Sequence, residues 1–170
     1  MNKKIKICHI VSVDMTVKFL LLPQLKFLQQ EGYDVYVVCS KGKWKEDIEA
    51  EGIKVKNIRI KRRITPFSDL VSLFLLFLYF RKEKFQIVHT HTPKPSLLGQ
   101  LAGKIAGVPI IVNTIHGFYF SEKTPRLKRN FYIFVEKIAG YCSSLIFSQS
   151  KDDINTIINK KIINSEKIRY

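Results

Sequence analysis

Gln30-Glu31-Gly32 runs straight into Tyr33-Asp34-Val35-Tyr36-Val37-Val38, and this junction decides the fold. A glycine that ends a polar, helix-compatible run takes the left-handed conformation closing a helix at little cost. The β-branched and aromatic residues after it have the composition of a buried strand. The same punctuation returns in Ala50-Glu51-Gly52 before Ile53-Lys54-Val55, and in Ala106-Gly107 before Val108-Pro109-Ile110-Ile111-Val112. It recurs in Ala139-Gly140, shortly before Leu145-Ile146-Phe147. Ile5 to Val13 and Ile87-Val88 read as further strands. Helices fall between them, over about 16–31, 44–51, 67–84, 95–106, 124–140 and 151–160. This alternation predicts an α/β domain with a doubly wound, Rossmann-like parallel sheet of about six strands joined by right-handed crossovers. Ile168-Arg169-Tyr170 reads as the start of another strand or a connection.

The 170 residues suffice for one domain with its own core. A hydrophobic share of 46% beside 25% charged residues excludes a disordered or fibrous chain. No basic, apolar and small-residue succession opens the sequence, so no signal peptide is expected. Cys8, Cys39 and Cys142 are odd in number and lack metal-ligand spacing, which fits a reduced, cytosolic compartment. Lys and Arg total 29 against 14 Asp and Glu, a net charge of +15. Such an excess predicts a polyanionic neighbour: nucleic acid, an anionic membrane surface or a phosphorylated substrate. With no helix-turn-helix, zinc-finger or aromatic RNA-binding signature, nucleic acid is not expected.

The helix from Phe67 contains Leu73-Phe74-Leu75-Leu76-Phe77-Leu78-Tyr79-Phe80, apolar on every face yet short of the roughly 20 residues that span a bilayer. If Leu70, Phe74, Phe77 and Phe80 face the sheet, then Val71, Leu75 and Leu78 point outward. Arg59, Lys61, Arg62 and Arg63 precede it, and Arg81, Lys82 and Lys84 follow. Two readings stay open: a helix covered by other protein, or a membrane contact through Arg62, Arg63, Val71, Leu75 and Leu78, with basic flanks on lipid phosphates.

Ligands of open parallel sheets bind beyond the carboxyl ends of the strands. There the apolar runs turn polar: Ser12, Asp14 and Thr16 after the first, His89 to Lys94 after the fourth. Asn113, Thr114, His116 and Gly117 follow the fifth, and Ser148, Gln149 and Ser150 the sixth. Together they predict one cleft. His89 and His91, two apart, share a strand face, and His116 on the neighbouring loop can approach them. No Cys, Asp or Glu joins these imidazoles at a ligand spacing, so no metal is expected. His9, inside the first strand, reads as a satisfied core residue. His116-Gly117-Phe118-Tyr119-Phe120 sets an imidazole and a close-approach glycine beside aromatics able to stack on a sugar ring. No GxGxxG, Walker loop or GxSxG elbow occurs, which counts against NAD or FAD enzymes and serine hydrolases.

Several of these stretches together resemble glycosyltransferase family 4, most of all its bacterial members that build capsule, O-antigen and other polyprenyl-linked glycans. They are Val13-Asp14-Met15-Thr16, Phe19-Leu20-Leu21-Leu22-Pro23-Gln24-Leu25, Arg63-Ile64-Thr65-Pro66, His89-Thr90-His91-Thr92-Pro93-Lys94-Pro95, Leu98-Gly99-Gln100-Leu101-Ala102, Val112 to Phe120 and Glu166 to Tyr170. The resemblance implies one half of a GT-B architecture, in which two Rossmann-like domains face each other across a cleft. Residues 1–170 correspond to the acceptor-side domain, and the donor-binding glutamates are expected beyond Tyr170. It implies a retaining sugar transfer without metal or cofactor, the nucleotide sugar being a substrate and a lipid-linked glycan the acceptor. Asp14, Met15 and Thr16 would then lie near the donor diphosphate, although they depart from the glycine pair that many members carry. His116 matches the histidine beside the donor sugar, and His89 and His91 match a motif at the cleft floor. Lys94, Asn113, Gly117 and Phe118 complete the expected substrate contacts. The expected location is cytoplasmic, peripheral on the inner face of the cell membrane, with this half inactive alone. The alternatives are a sugar-nucleotide epimerase of the same plan and a non-catalytic half that docks on a partner.

Overall fold

The computed structural model of the chain describes residues 4–61, 63–121 and 123–170. Among them Lys6–Val13 (β1), Asp34–Ser40 (β2), Lys54–Asn57 (β3), Ile87–His91 (β4), Ile110–Ile115 (β5), Leu145–Ser148 (β6) and Ile168–Arg169 (β7) build one sheet. All pairings are parallel, in the order β3-β2-β1-β4-β5-β6-β7. The order reverses between β1 and β4, where a doubly wound sheet leaves its crevice. The Rossmann-like α/β fold expected from the glycine junctions is present, and Ile168-Arg169 supply a seventh strand.

Helical residues Asp14–Thr16 (α1), a π-helical turn Val17–Leu21 and Leu22–Gln30 (α2) follow β1 without leaving helical conformation. Then come Lys45–Ala50 (α3), Pro66–Glu83 (α4), Pro93–Ala106 (α5), Arg126–Cys142 (α6) and Lys151–Asn159 (α7). The helix expected from about residue 16 begins two residues earlier, with Asp14 to Thr16 as its first turn.

Strands buried on both faces read as unbroken apolar runs because alternate side chains serve different layers. Ile7, Val11, Val35 and Val37 pack with Val17, Leu21, Leu25 and Ile48 on one face. Cys8, Ile10 and Val88 pack with Leu76, Phe80, Leu98 and Ala102 on the other. Burying each such side chain stabilises the fold by about 1.5–3 kcal/mol. Gly32 and Gly107 take positive φ, +89° and +75°, as the junctions require. Gly140 does not belong with them. It lies inside α6, where a Cβ would come within 2.5 Å of Ile163 Cγ1, so glycine serves close packing and the helix continues to Cys142.

The orientation of α4 also differs from expectation. Ser72, Leu76 and Phe80 are its buried stripe, at i, i+4 spacing, whereas Leu70 and Phe74 are exposed beside Val71, Leu75 and Leu78. Ser72 fits this rotation, its hydroxyl lying 2.7 Å from the Arg59 carbonyl outside the helix and 2.7 Å from the Ser68 carbonyl within it, the two sharing its one proton. Phe67, Leu70, Val71, Phe74, Leu75 and Leu78 thus form one exposed apolar face. No helix among the described residues is long and apolar enough to cross a membrane. Arg62 lies outside the described residues, while Arg59 and Arg63 are exposed.

Candidate functional site

Around the carboxyl ends of β1, β4 and β5 the described residues line two cavities, one on each face of the sheet, rather than the single cleft expected. His9 pairs with His89 in the parallel register of β1 and β4, so both rings fall on the face covered by the π turn and α2. His91, two residues on, joins them. Ring centroids lie 4.2 Å apart for His89 and His91, and 5.4 Å apart for His9 and His91. A cavity of about 690 Å³ opens over this stack, walled by His89, His91, Thr114, His116, Gln149 and Leu20 among others.

The histidines form a hydrogen-bonded chain running outward. His9 Nδ1 lies 3.1 Å from His91 Nε2, His91 Nδ1 lies 3.4 Å from His116 Nε2, and His116 Nδ1 lies 3.0 Å from Gln149 Oε1. Burial and the neighbouring His89 hold His9 well below the usual imidazole range. Burial, reinforced by the adjoining imidazoles, does the same to His91 and brings His89 down to about 4. Each of these rings therefore carries one N–H at neutral pH. His9 Nε2 is buried without a partner, and an orphaned N–H there costs more than an orphaned lone pair. The proton thus sits on His9 Nδ1 and is donated to His91 Nε2. His91 must then donate from Nδ1 to His116, and His116 from Nδ1 to Gln149. The buried end of the chain sets the tautomer of its exposed end.

Ring nitrogens of His9, His89 and His91 all lie within 4.8 Å of one another. His9 and His91, with an interplanar angle of 15°, meet edge to edge through their hydrogen bond, His89 and His91 stack at 28°, and His9 and His89 are tilted by 40°.

On the opposite face a cavity of about 640 Å³ is bounded by Ser12, Thr16, Asp69, Lys94, Tyr119 and Glu136, with an apolar floor that includes Leu97, Leu98 and Val135. Between β4 and α5 stands a single residue, Thr92, whose φ of +66° is costly for a β-branched side chain. Glu136 projects from α6 into this apolar lining, and burial pushes its carboxyl up to about 7. It escaped the reading of the sequence. The signal was one acid directly after the apolar and aromatic run Phe131 to Val135.

Not every expected substrate contact reaches a cavity. Asp14 is buried, its carboxylate accepting the Trp44 amide at 2.7 Å and lying over Gly42, where a Cβ would be 2.1 Å away. It ties the end of β1 to the loop before α3, whereas Met15 is 52% exposed and Thr16 lines the second cavity. Asn113 is buried under α5, its Oδ1 accepting Ser96 Oγ at 2.7 Å and Thr90 Oγ1 at 3.0 Å. The Lys94 ammonium borders the second cavity but is spent on Asp69 at 2.5 Å, Thr65 Oγ1 and the Arg63 carbonyl. Phe118 stacks on Phe120, with centroids 4.8 Å apart, and packs into the core near Ile146, leaving Tyr119 at the cavity. Gly117, with φ +115°, makes that turn. Of the expected contacts, His89, His91 and His116 are brought together.

A family model described as glycosyl transferase 4-like matches residues 6–150 of the chain. The chain belongs to this family. This glycosyl transferase 4-like chain is 36% identical over 166 residues to the capsular polysaccharide biosynthesis glycosyltransferase CapM of Staphylococcus aureus, covering 98% of the chain and 43% of CapM. It is 28% identical over 170 residues to the UDP-Gal:alpha-D-GlcNAc-diphosphoundecaprenol alpha-1,3-galactosyltransferase of Escherichia coli, covering 98% of the chain and 44% of that enzyme. The chain thus spans less than half the length of either relative. A crystal structure of a glycosyltransferase from Rickettsia africae shares the fold, with a TM-score of 0.75 at 21% identity, over 98% of this chain and 42% of that one.

Proposed function

We propose that these residues are the acceptor-side domain, one half of a GT-B architecture, of a transferase that moves a sugar from a nucleotide sugar to a lipid-linked glycan, with retention of configuration, in cell-surface polysaccharide synthesis. The observation that carries the proposal is the 36% identity to CapM across nearly the whole chain. The Escherichia coli relative, by its name, takes UDP-galactose as donor and a GlcNAc diphosphate on undecaprenol as acceptor. Transfer of this kind needs a donor site and an acceptor site close together, and the two cavities, parted by Thr92, are suited to that pairing. In this reading the histidine cavity faces the donor sugar. His116 directs Nδ1–H toward exposed Gln149, and a sugar hydroxyl displacing that amide would accept the same proton. The apolar cavity with Glu136 takes the acceptor. No metal or cofactor is called on. Binding of the donor nucleotide falls to the part of the relatives' length that lies outside the match, so residues 1–170 alone would not turn over.

The same reading puts α4 on the membrane that holds the acceptor. Its exposed apolar face is flanked by Arg59 and Arg63 at one end and Arg81, Lys82 and Lys84 at the other. Cationic flanks beside an apolar face suit an anionic headgroup layer.

Residues 1–170 joined to the remainder of CapM test the proposal. Transfer of labelled sugar from a panel of UDP- and GDP-sugars to a lipid-linked GlcNAc acceptor is expected. Failure of every donor, with no acceptor binding by the 170 residues, would refute it.

A further inference from the structure

Most polar groups lining the apolar cavity are already engaged with one another. Lys94 and Asp69 form an ion pair at 2.5 Å, and Ser12 Oγ and Thr92 Oγ1 lie 3.3 Å apart. Glu136 is different. Its carboxylate has no hydrogen-bond or ion-pair partner among the described residues, and it faces a space bordered by Tyr119 and Tyr132. Folding an unpaired carboxylate into an apolar wall is unfavourable, and nothing in the packing of α6 requires it. A carboxylate beside aromatic rings suits a sugar: the rings take the apolar face of a pyranose, and the oxygens take its hydroxyl protons.

We infer that Glu136 is a substrate-positioning residue of the acceptor cavity, its carboxylate accepting hydrogen bonds from hydroxyls of an acceptor saccharide packed against Tyr119 and Tyr132. The inference rests on the proposed function for the identity of that saccharide. The ionised form is the stronger acceptor, so binding strengthens as Glu136 loses its proton. With its carboxyl at about 7, the ionised fraction rises roughly tenfold from pH 6 to pH 8. The other titratable groups lining the cavity are Asp69 and Lys94, paired with each other, and the phenols of Tyr119 and Tyr132. A diphosphate diester keeps its charge over this range.

The test is calorimetric titration of the 170-residue chain with GlcNAc diphosphate esterified to a short alkyl chain, at pH 6, 7 and 8. Affinity is expected to rise about tenfold from pH 6 to pH 8. Glu136→Gln keeps the shape and should bind about tenfold more weakly than the parent at pH 8, with no slope against pH. Glu136→Ala should bind more weakly still, and unchanged amide NMR spectra away from α6 would certify both folds. If both variants bind as the parent does, with the same pH slope, Glu136 has no such role although the acceptor reading stands. If the parent itself fails to bind at any pH, the acceptor reading falls and takes the inference with it.

Discussion

Replacing His91 with Phe should separate the energetics of the histidine chain from those of ordinary packing. His9 Nδ1 donates to His91 Nε2 at 3.1 Å between two buried side chains. His91→Phe strands that N–H, and an orphaned buried donor costs about 1–3 kcal/mol. The exposed partner, His116, turns to water and loses little. His9→Phe removes the donor, and with it the orphaned Nε2, so it costs about 1 kcal/mol, the net worth of one hydrogen bond. The double variant leaves neither ring nitrogen of the pair behind. It should therefore be about 1–2 kcal/mol more stable than the sum of the single losses implies. Urea denaturation at pH 7.5 measures all four stabilities. Additivity within about 0.5 kcal/mol, or a double variant worse than the sum, would refute the tautomer chain.

The same four proteins make an acid test. Burial holds His9 and His91 well below 6.5 and His89 near 4, so these rings stay neutral in the folded chain. Below 6.5 the unfolded chain binds protons that the folded one refuses. Stability is complete above that pH and is lost as pH falls toward 4, by about 1.4 kcal/mol per pH unit for each histidine. The double variant should lose roughly 2.7 kcal/mol per unit less steeply, and parallel slopes would show that the rings titrate normally.

Three further outcomes are expected. Asp14→Ala should cost about 1–3 kcal/mol of stability, read by thermal denaturation, because the Trp44 amide loses its acceptor; unchanged stability would return Asp14 to the list of substrate contacts. Reversing Lys61 and Arg63 to Glu, or changing Leu75 and Leu78 to Gln, should each weaken sedimentation with phosphatidylglycerol vesicles by about tenfold or more, since each basic residue near the surface contributes about 1 kcal/mol; no change in either would mean that protein, not lipid, covers α4. In the CapM chimera, His116→Ala should lower kcat by on the order of a hundredfold, the usual loss on removing a preorganised transition-state contact; full activity with a normal melting temperature would take the residue out of the mechanism.

The sheet was legible because glycine junctions and β-branched runs are local signals. Gly32 and Gly107 could be read from their immediate neighbours. Gly140 could not, for its reason lies across the fold at Ile163. The rotation of α4 was hidden likewise: a helix apolar all round has no periodicity to read, and the serine hydroxyl that fits the buried stripe meets a distant carbonyl. At the site, strand parity was enough to place His89 and His91 together. Parity also sends Asn113, one residue out of phase with Val112 and Thr114, to the opposite layer, but it could not tell that the side chain is consumed there beneath α5. His9 is buried as expected but not fully satisfied, since its Nε2 has no partner, and its meeting with two other histidines depends on register between strands far apart in the chain.

Thr92 alone separates His91, which walls one cavity, from Pro93 and Lys94, which wall the other. A longer loop would act as a spring; one residue held at φ +66° has no slack. The gap between the two cavities is accordingly a fixed length, a ruler built into the backbone. In the proposed function, donor sugar and acceptor would have to match that span. A ligand one bond too long or too short meets a mismatch that neither wall can relax, so selectivity can arise with no added contact on either molecule.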